Sequence, residues 1–128
     1  FDYNRFSLIV AVLEKRAGYY FTNMDAYINV VGGFRLDEPA ADLAVALTLV
    51  SSLKDSVIDE DLVAFGEIGL AGEIRAVSQV QQRVQEAARL GFTKCIVPHA
   101  SLKVLDRIDG IEIFAVKTLK QAVEIAMN

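Results

Sequence analysis

Apolar residues recur along this chain at two spacings, and the spacing predicts its elements. In "NRFSLIVAVLEKRAG" they lie three or four residues apart, which predicts a helix that ends before Gly18. "YYFT" and "AYINVV" are rich in aromatic and β-branched residues and predict a hairpin around "NMD". Residues 40–50 are apolar on nearly every side, which predicts a buried helix that Pro39 begins and residues 53–55 close.

The second half of the chain alternates short apolar runs with helical patterns. Residues 62–68 predict one buried strand, and "GLAGEIRAV" predicts a turn back into a second. "SQVQQRVQEAARLG" predicts a helix with Ser78 and Gln81 as its capping box and Gly91 at its end. "KCIVP" and "IEIFAV" predict strands, "SLKVLDRI" a short helix, and "TLKQAVEIAMN" a last helix with a T-x-x-Q box. We therefore expect one α+β domain over residues 1–128, with an α/β-like second half and mixed sheets with packed helices.

Composition narrows the class of protein. The 128 residues are 53% hydrophobic with two prolines, which predicts a filled core. The absence of a starting Met suggests a piece of a larger protein, and no apolar run is long enough to span a membrane. A lone Cys95 favours a cytoplasmic location and, with the lone His99, argues against a tightly held metal. A net charge of −4 means that nucleic-acid binding would need a local patch or a ring of copies.

The stretch "GGFRLDEPAADLAVAL" is typical of an enzyme's catalytic loop, because a free helix N-terminus can hold developing negative charge. No nucleotide-binding loop or paired metal-ligand spacing is present, and a Ser-His-Asp triad would depend on His99, which reads more simply as an exposed loop residue. Ser-Lys catalysis remains open, since it needs no histidine.

The segments "EPAADLAVALTLVSSL", "VAFGEIGLAGEIRAV" and "QQRVQEAARLGFTKCIVP" resemble, in order and spacing, the proteolytic domain of Lon proteases. The resemblance runs over residues 26–98 and implies a Lon-like fold. It places Ala40 where that family has its nucleophilic serine and Gln81 where it has its dyad lysine. A methyl group cannot attack a carbonyl and a neutral amide cannot act as general base, so the resemblance implies an inactive site with no catalytic residue.

"NVVGG-x-R" joined to "EPAADLA", within a match along the whole chain, is similar to the C-terminal domain of the RadA (Sms) family of bacterial DNA-repair proteins. In that family a zinc-finger region and a RecA-like ATPase core precede the Lon-like domain. The resemblance implies hexameric rings, DNA contacts for branch migration and other recombination proteins as partners. It also implies that ATP, Mg and Zn belong to regions outside this chain, so we expect no cofactor here.

The candidates for DNA contact are basic residues, each of which could instead be a solvated or ion-paired surface charge. They are Arg35, Arg75, Arg83, Arg89 and Lys94. The helix over residues 40–50 could likewise supply part of a ring interface or only core. Two other functions stay open: a Ser-Lys peptidase that uses another serine, with Ser78 as the nearest, and a module that docks a partner protein without touching DNA.

Overall fold

The computed structural model describes residues 3–16, 18 and 38–127, with side chains from residue 7 onward. The hairpin predicted from "YYFT" and "AYINVV" and the candidate Arg35 lie outside these residues. The elements follow in chain order as α1 (Tyr3–Arg16), a 3₁₀ turn (Pro39–Ala41), α2 (Asp42–Lys54), β1 (Leu62–Ala64), β2 (Glu67–Ile68), β3 (Ile74–Arg75), α3 (Val80–Arg89), β4 (Lys94–Pro98), a 3₁₀ helix (His99–Val104), β5 (Glu112–Val116) and α4 (Leu119–Ala126).

The described strands form two sheets, and one of them is parallel throughout. Its order is β1-β4-β5, with β4 paired to both neighbours. The second sheet is the antiparallel pair β2-β3, in which Ile68 lies opposite Ile74. This mixture of parallel strands, a hairpin and packed helices confirms the α+β class.

The prediction of one strand over residues 62–68 is wrong, because the chain changes sheet in the middle. The Phe65 N–H still donates to Ile96 of β4, but the Gly66 N–H turns away and donates to the carbonyl of Ala40 at 3.0 Å. A Cβ on Gly66 would lie 2.8 Å from the Ile74 side chain, so glycine permits this close crossing. The strand therefore divides into β1 and β2.

Helices cover both faces of the parallel sheet and create two cores. Alternate residues of β4 point to opposite faces: Ile96 lies in the core with α1, α2 and α4, whereas Cys95 and Val97 lie in the core with α3. The apolar helix predicted over residues 40–50 is α2, which is buried along most of its length. Most of its apolar residues are thus core, although Leu53 near its end is 43% exposed, so a ring interface would rest mainly on other side chains.

The two predicted capping boxes have opposite outcomes. Half of the box at Thr118 is confirmed, because its hydroxyl accepts a hydrogen bond from the Gln121 N–H at 3.2 Å, while the Gln121 side chain accepts from the Lys117 N–H instead of the Thr118 N–H. The box at Ser78 and Gln81 is wrong: the N-cap of α3 is Gln79, in the left-handed region at φ 56°, and no side chain caps the helix. The short helix predicted from "SLKVLDRI" is the 3₁₀ helix, which starts two residues earlier, at His99, and ends at Val104.

Candidate functional site

A cavity of about 250 Å³ lies where the 3₁₀ turn, the β2-β3 pair and the start of α3 meet. It contains Ala40, the residue that the sequence matched to a nucleophilic serine. The described residues that line it are Glu38, Pro39, Ala40, Glu67, Ala76, Val77, Ser78 and Arg83. This cavity is therefore the candidate functional site.

Local sequence and backbone hydrogen bonds hold Ala40 in the lining of this cavity. Glu38 is extended and Pro39 takes the first helical position, which suits its fixed φ. The Ala40 carbonyl accepts from Gly66, and the Leu43 N–H donates to the Gly66 carbonyl, both at 3.0 Å. Ala40 is only 5% exposed, and its methyl offers no nucleophile.

A buried acidic residue, Asp42, holds the start of α2 in place. Asp42 is 3% exposed, and its Oδ2 accepts a hydrogen bond from the Ile68 N–H at 3.0 Å. A carboxylate in the first turn of a helix is stabilised by the positive end of the helix dipole. The helix terminus that an enzyme would use for developing negative charge therefore already carries a fixed one.

An ion pair forms part of the cavity wall. Arg83 donates through Nη1 to Glu38 Oε1 at 2.7 Å and through Nε to the Ser78 carbonyl at 2.8 Å. The Arg83 side chain is 20% exposed, whereas that of Glu38 is 53% exposed. The sequence left open whether Arg83 is ion-paired and did not predict Glu38 as its partner, because 45 residues separate the two and no motif links them.

Gln81, the residue matched to the dyad lysine, has a different structural task. Its side-chain oxygen accepts a hydrogen bond from the Asp106 N–H at 2.8 Å, which ties α3 to the loop after the 3₁₀ helix. Gln81 is not among the described residues that line the cavity of Ala40. The structure therefore does not bring the two dyad positions together in one cavity.

The other described DNA candidates all carry acidic partners. Arg75 pairs with Glu73 at 3.2 Å and with Glu67 at 3.9 Å. The other two pairs are Arg89 with Glu86, and Lys94 Nζ with Asp59 Oδ2 at 2.7 Å. The hydrogen bond that Lys94 donates to Asp59 raises the pKa of Lys94, and the hydrogen bonds that Arg89 donates to Glu86 raise the pKa of Arg89. Each of these cations is thus ion-paired in the structure, while contact with DNA stays a prediction.

Other reactive groups lie away from the cavity. His99 is exposed at the start of the 3₁₀ helix. Cys95 is fully buried, and this burial raises the pKa of its thiol to about 12. Within residues 3–16, 18 and 38–127, no three potential metal ligands come together. In the same part of the chain, no helix has the length and apolar character needed to cross a membrane.

Comparison with known proteins gives two findings. A family model described as "Subunit ChlI of Mg-chelatase" matches residues 5–101. The chain is also similar to proteins named "DNA repair protein RadA": 48% identical to that of Halalkalibacterium halodurans and 50% to that of Streptococcus pyogenes, over 99% of this chain and 28% of each relative. The Bacillus subtilis protein is 45% identical over the same shares.

The chain therefore spans about 28% of the length of these curated relatives. The similarity to DNA-repair proteins named RadA extends along essentially the whole chain. The matching family model is not that of a Lon protease, so it leaves the Lon-like resemblance a prediction. Because this model covers most of the chain, the chain belongs to the family described as subunit ChlI of Mg-chelatase.

Proposed function

We propose that this chain is a catalytically inactive, Lon-protease-like domain of a cytoplasmic DNA-repair ATPase. In this role it helps to assemble a hexameric ring and contributes DNA contacts for branch migration, together with other recombination proteins. The similarity to RadA proteins along 99% of the chain supports the assignment to DNA repair. The observation that carries the inactive role is the cavity around Ala40, which has a methyl group where a nucleophile is needed.

A working Ser-Lys peptidase would need a serine and a lysine that face each other. Ser78 is the only serine among the described residues that line the cavity, and no lysine is among them. The carbonyl of Ser78 already accepts from Arg83. The geometry thus favours the inactive role over the peptidase alternative.

The test is reactivity with a serine-directed fluorophosphonate and with unfolded casein. We expect neither labelling nor cleavage by the protein. We expect the same of the double variant Ala40→Ser with Gln81→Lys, because the side chain at position 81 contacts Asp106 rather than the cavity. Labelling that Ser78→Ala abolishes would establish the peptidase alternative instead.

Ring assembly needs side chains that the fold leaves exposed. Because α2 is core, exposed apolar side chains elsewhere are the better candidates for contacts between copies. Among the described residues they include Val57, 90% exposed, Leu70, 68% exposed, and Val104, 63% exposed. Light scattering over a wide concentration range measures assembly directly. A reversible rise towards six copies supports the scaffold role, and a strict monomer places assembly in other regions of the protein.

DNA contact is proposed through exposed cations that can exchange an acidic partner for a phosphate. Arg75 and Arg89 have side chains 54% and 68% exposed, and exposed ion pairs of this kind contribute little to stability. Repetition around a ring would multiply weak contacts and offset the net charge of −4.

Charge reversal in the full-length protein tests this contact. We expect Arg75→Glu and Arg89→Glu to weaken DNA binding and to lower the slope of log affinity against log salt by about one for each phosphate that the variant no longer neutralises. Arg107→Glu is the matched control, because Arg107 is 91% exposed, also faces an aspartate and is not a candidate. Equal affinity in all three variants would support the partner-docking alternative.

A further inference from the structure

We propose that the Glu38–Arg83 ion pair is a latch that restricts access to Ala40 from the cavity beside it. Glu38 lies directly before the 3₁₀ turn that leads into α2, and Arg83 lies on α3. These helices cover opposite faces of the parallel sheet, because α2 packs in the core of Ile96 and α3 in the core of Cys95. The pair therefore joins two layers of the fold beside the cavity.

The geometry makes this pair different from the other described ion pairs. Its cation is the least exposed among them, with the Arg83 side chain at 20% against 43% for Lys94 and 54% for Arg75. The second bond, from Arg83 Nε to the Ser78 carbonyl, fixes the guanidinium in a planar fork. Glu38 therefore accepts a hydrogen bond from a guanidinium that is already oriented. This makes the Glu38–Arg83 bond stronger than a bond to a mobile arginine.

The consequence is restricted access to position 40. Ala40 is 5% exposed although the cavity beside it holds about 250 Å³. Glu38 is two residues before Ala40, so breaking its ion pair removes one tie at the entry to the turn, while its carbonyl still accepts from the Ala41 N–H at 3.1 Å. A molecule can then reach Ala40 by local opening rather than by unfolding. This inference rests on the geometry alone and not on the proposed scaffold role, so either can fail without the other.

The experiment places a reporter thiol in the lining of the cavity, at position 40. Ala40→Cys is labelled with N-ethylmaleimide, and mass spectrometry gives the rate. The native Cys95 is fully buried with a pKa of about 12, so it stays unlabelled in the folded protein and reports global unfolding. In the A40C protein we expect slow labelling at position 40.

Glu38→Gln in the same background removes the charge but keeps the shape of the side chain. We expect it to raise the labelling rate at position 40 by about tenfold or more, because the closed state loses a charge-assisted hydrogen bond. Glu86→Gln is the matched control, since it breaks the exposed pair with Arg89, away from the cavity. We expect no change in its rate.

Three results would overturn the latch. The first is that A40C in the folded protein is labelled as fast as in concentrated urea, which would mean that position 40 is already accessible. The second is equal rates in the E38Q and E86Q proteins. The third is labelling of Cys95 together with position 40 in E38Q, which would mean that the whole fold opens. Comparing Arg83→Gln with and without E38Q gives a further check: once Arg83 is replaced, E38Q should leave the rate unchanged, and a multiplied effect would show that the residues act separately.

Discussion

Gln79 holds a left-handed backbone conformation, with φ 56° and ψ 39°, directly before α3. A left-handed conformation costs a residue with a Cβ roughly 1–2 kcal/mol, and glycine avoids that cost. Glycine also has more conformational entropy in the unfolded chain, which lowers the free energy of unfolding by about 0.5–1 kcal/mol. The Gln79 side chain is exposed and does not cap the helix, so its removal takes little from the fold. We therefore expect Gln79→Gly to raise the free energy of unfolding by about 0.5–1 kcal/mol, the difference between these two terms.

The matched control is the same substitution six residues later, within α3. Gln85 is exposed within α3, where the backbone is helical, so Gln85→Gly should lower the free energy of unfolding by about 0.5–1 kcal/mol. Urea unfolding followed by circular dichroism measures both, with the midpoint compared at a constant m value. The two glycine variants should thus move the midpoint in opposite directions. If both lower it equally, Gln79 is not left-handed and the reasoning fails.

Three further outcomes are expected. Ser78→Ala should change stability by less than about 0.5 kcal/mol in urea unfolding, whereas Thr118→Ala should cost about 1 kcal/mol, because only the Thr118 hydroxyl caps its helix. Leu49→Ala, at a site 1% exposed in the main core, should cost about 2–5 kcal/mol, and a smaller loss would mean that α2 is not core. The pKa of Cys95 is about 12 in the folded protein, above the ordinary 9.0, so the unfolded chain loses its proton first. Stability should then be unaffected by this group below about pH 9 and fall as pH rises towards 12, and Cys95→Ala should remove that fall.

Elements that depend on a local pattern were predictable from the sequence. Elements that depend on contacts between distant segments of the chain were not. The spacing of apolar residues located α1 and α4, and β4 matched "KCIVP" at both ends. Residues 62–68 also looked like one strand, since every local signal favoured it. The split between β1 and β2 depends on Gly66 meeting the start of α2, a contact between segments distant in sequence.

The two capping motifs show where a pattern stops being sufficient. Both have a hydroxyl residue followed three positions later by glutamine. Thr118 has the extended backbone that a capping residue needs, at φ −132° and ψ 155°. After Ser78, Gln79 turns left-handed and becomes the N-cap itself, so the hydroxyl of Ser78 is one residue too early. The backbone before the helix decided each outcome, and the motif does not encode it.

The candidate site was likewise only partly predictable from the sequence. The resemblance singled out Ala40, and the structure places it in a cavity, yet the wall of that cavity depends on Glu38 and Arg83, which no spacing connects. Gln81 was interpreted as the second half of a lost dyad, and its contact with Asp106 came only from the tertiary fold.

The contacts that hold residues 38–43 use no side-chain atom of Ala40, the position that the resemblance matched to a nucleophile. Ala40 enters them through its carbonyl, which accepts from Gly66, and Asp42 holds the Ile68 N–H. A methyl or a hydroxyl at position 40 leaves these bonds intact, so the fold does not require a nucleophile there. Removing the Asp42 carboxylate, in contrast, would deprive a buried N–H of its acceptor, which is costly. Residues 38–43 are therefore held by backbone hydrogen bonds and by Asp42, and their shape does not depend on the side chain at position 40.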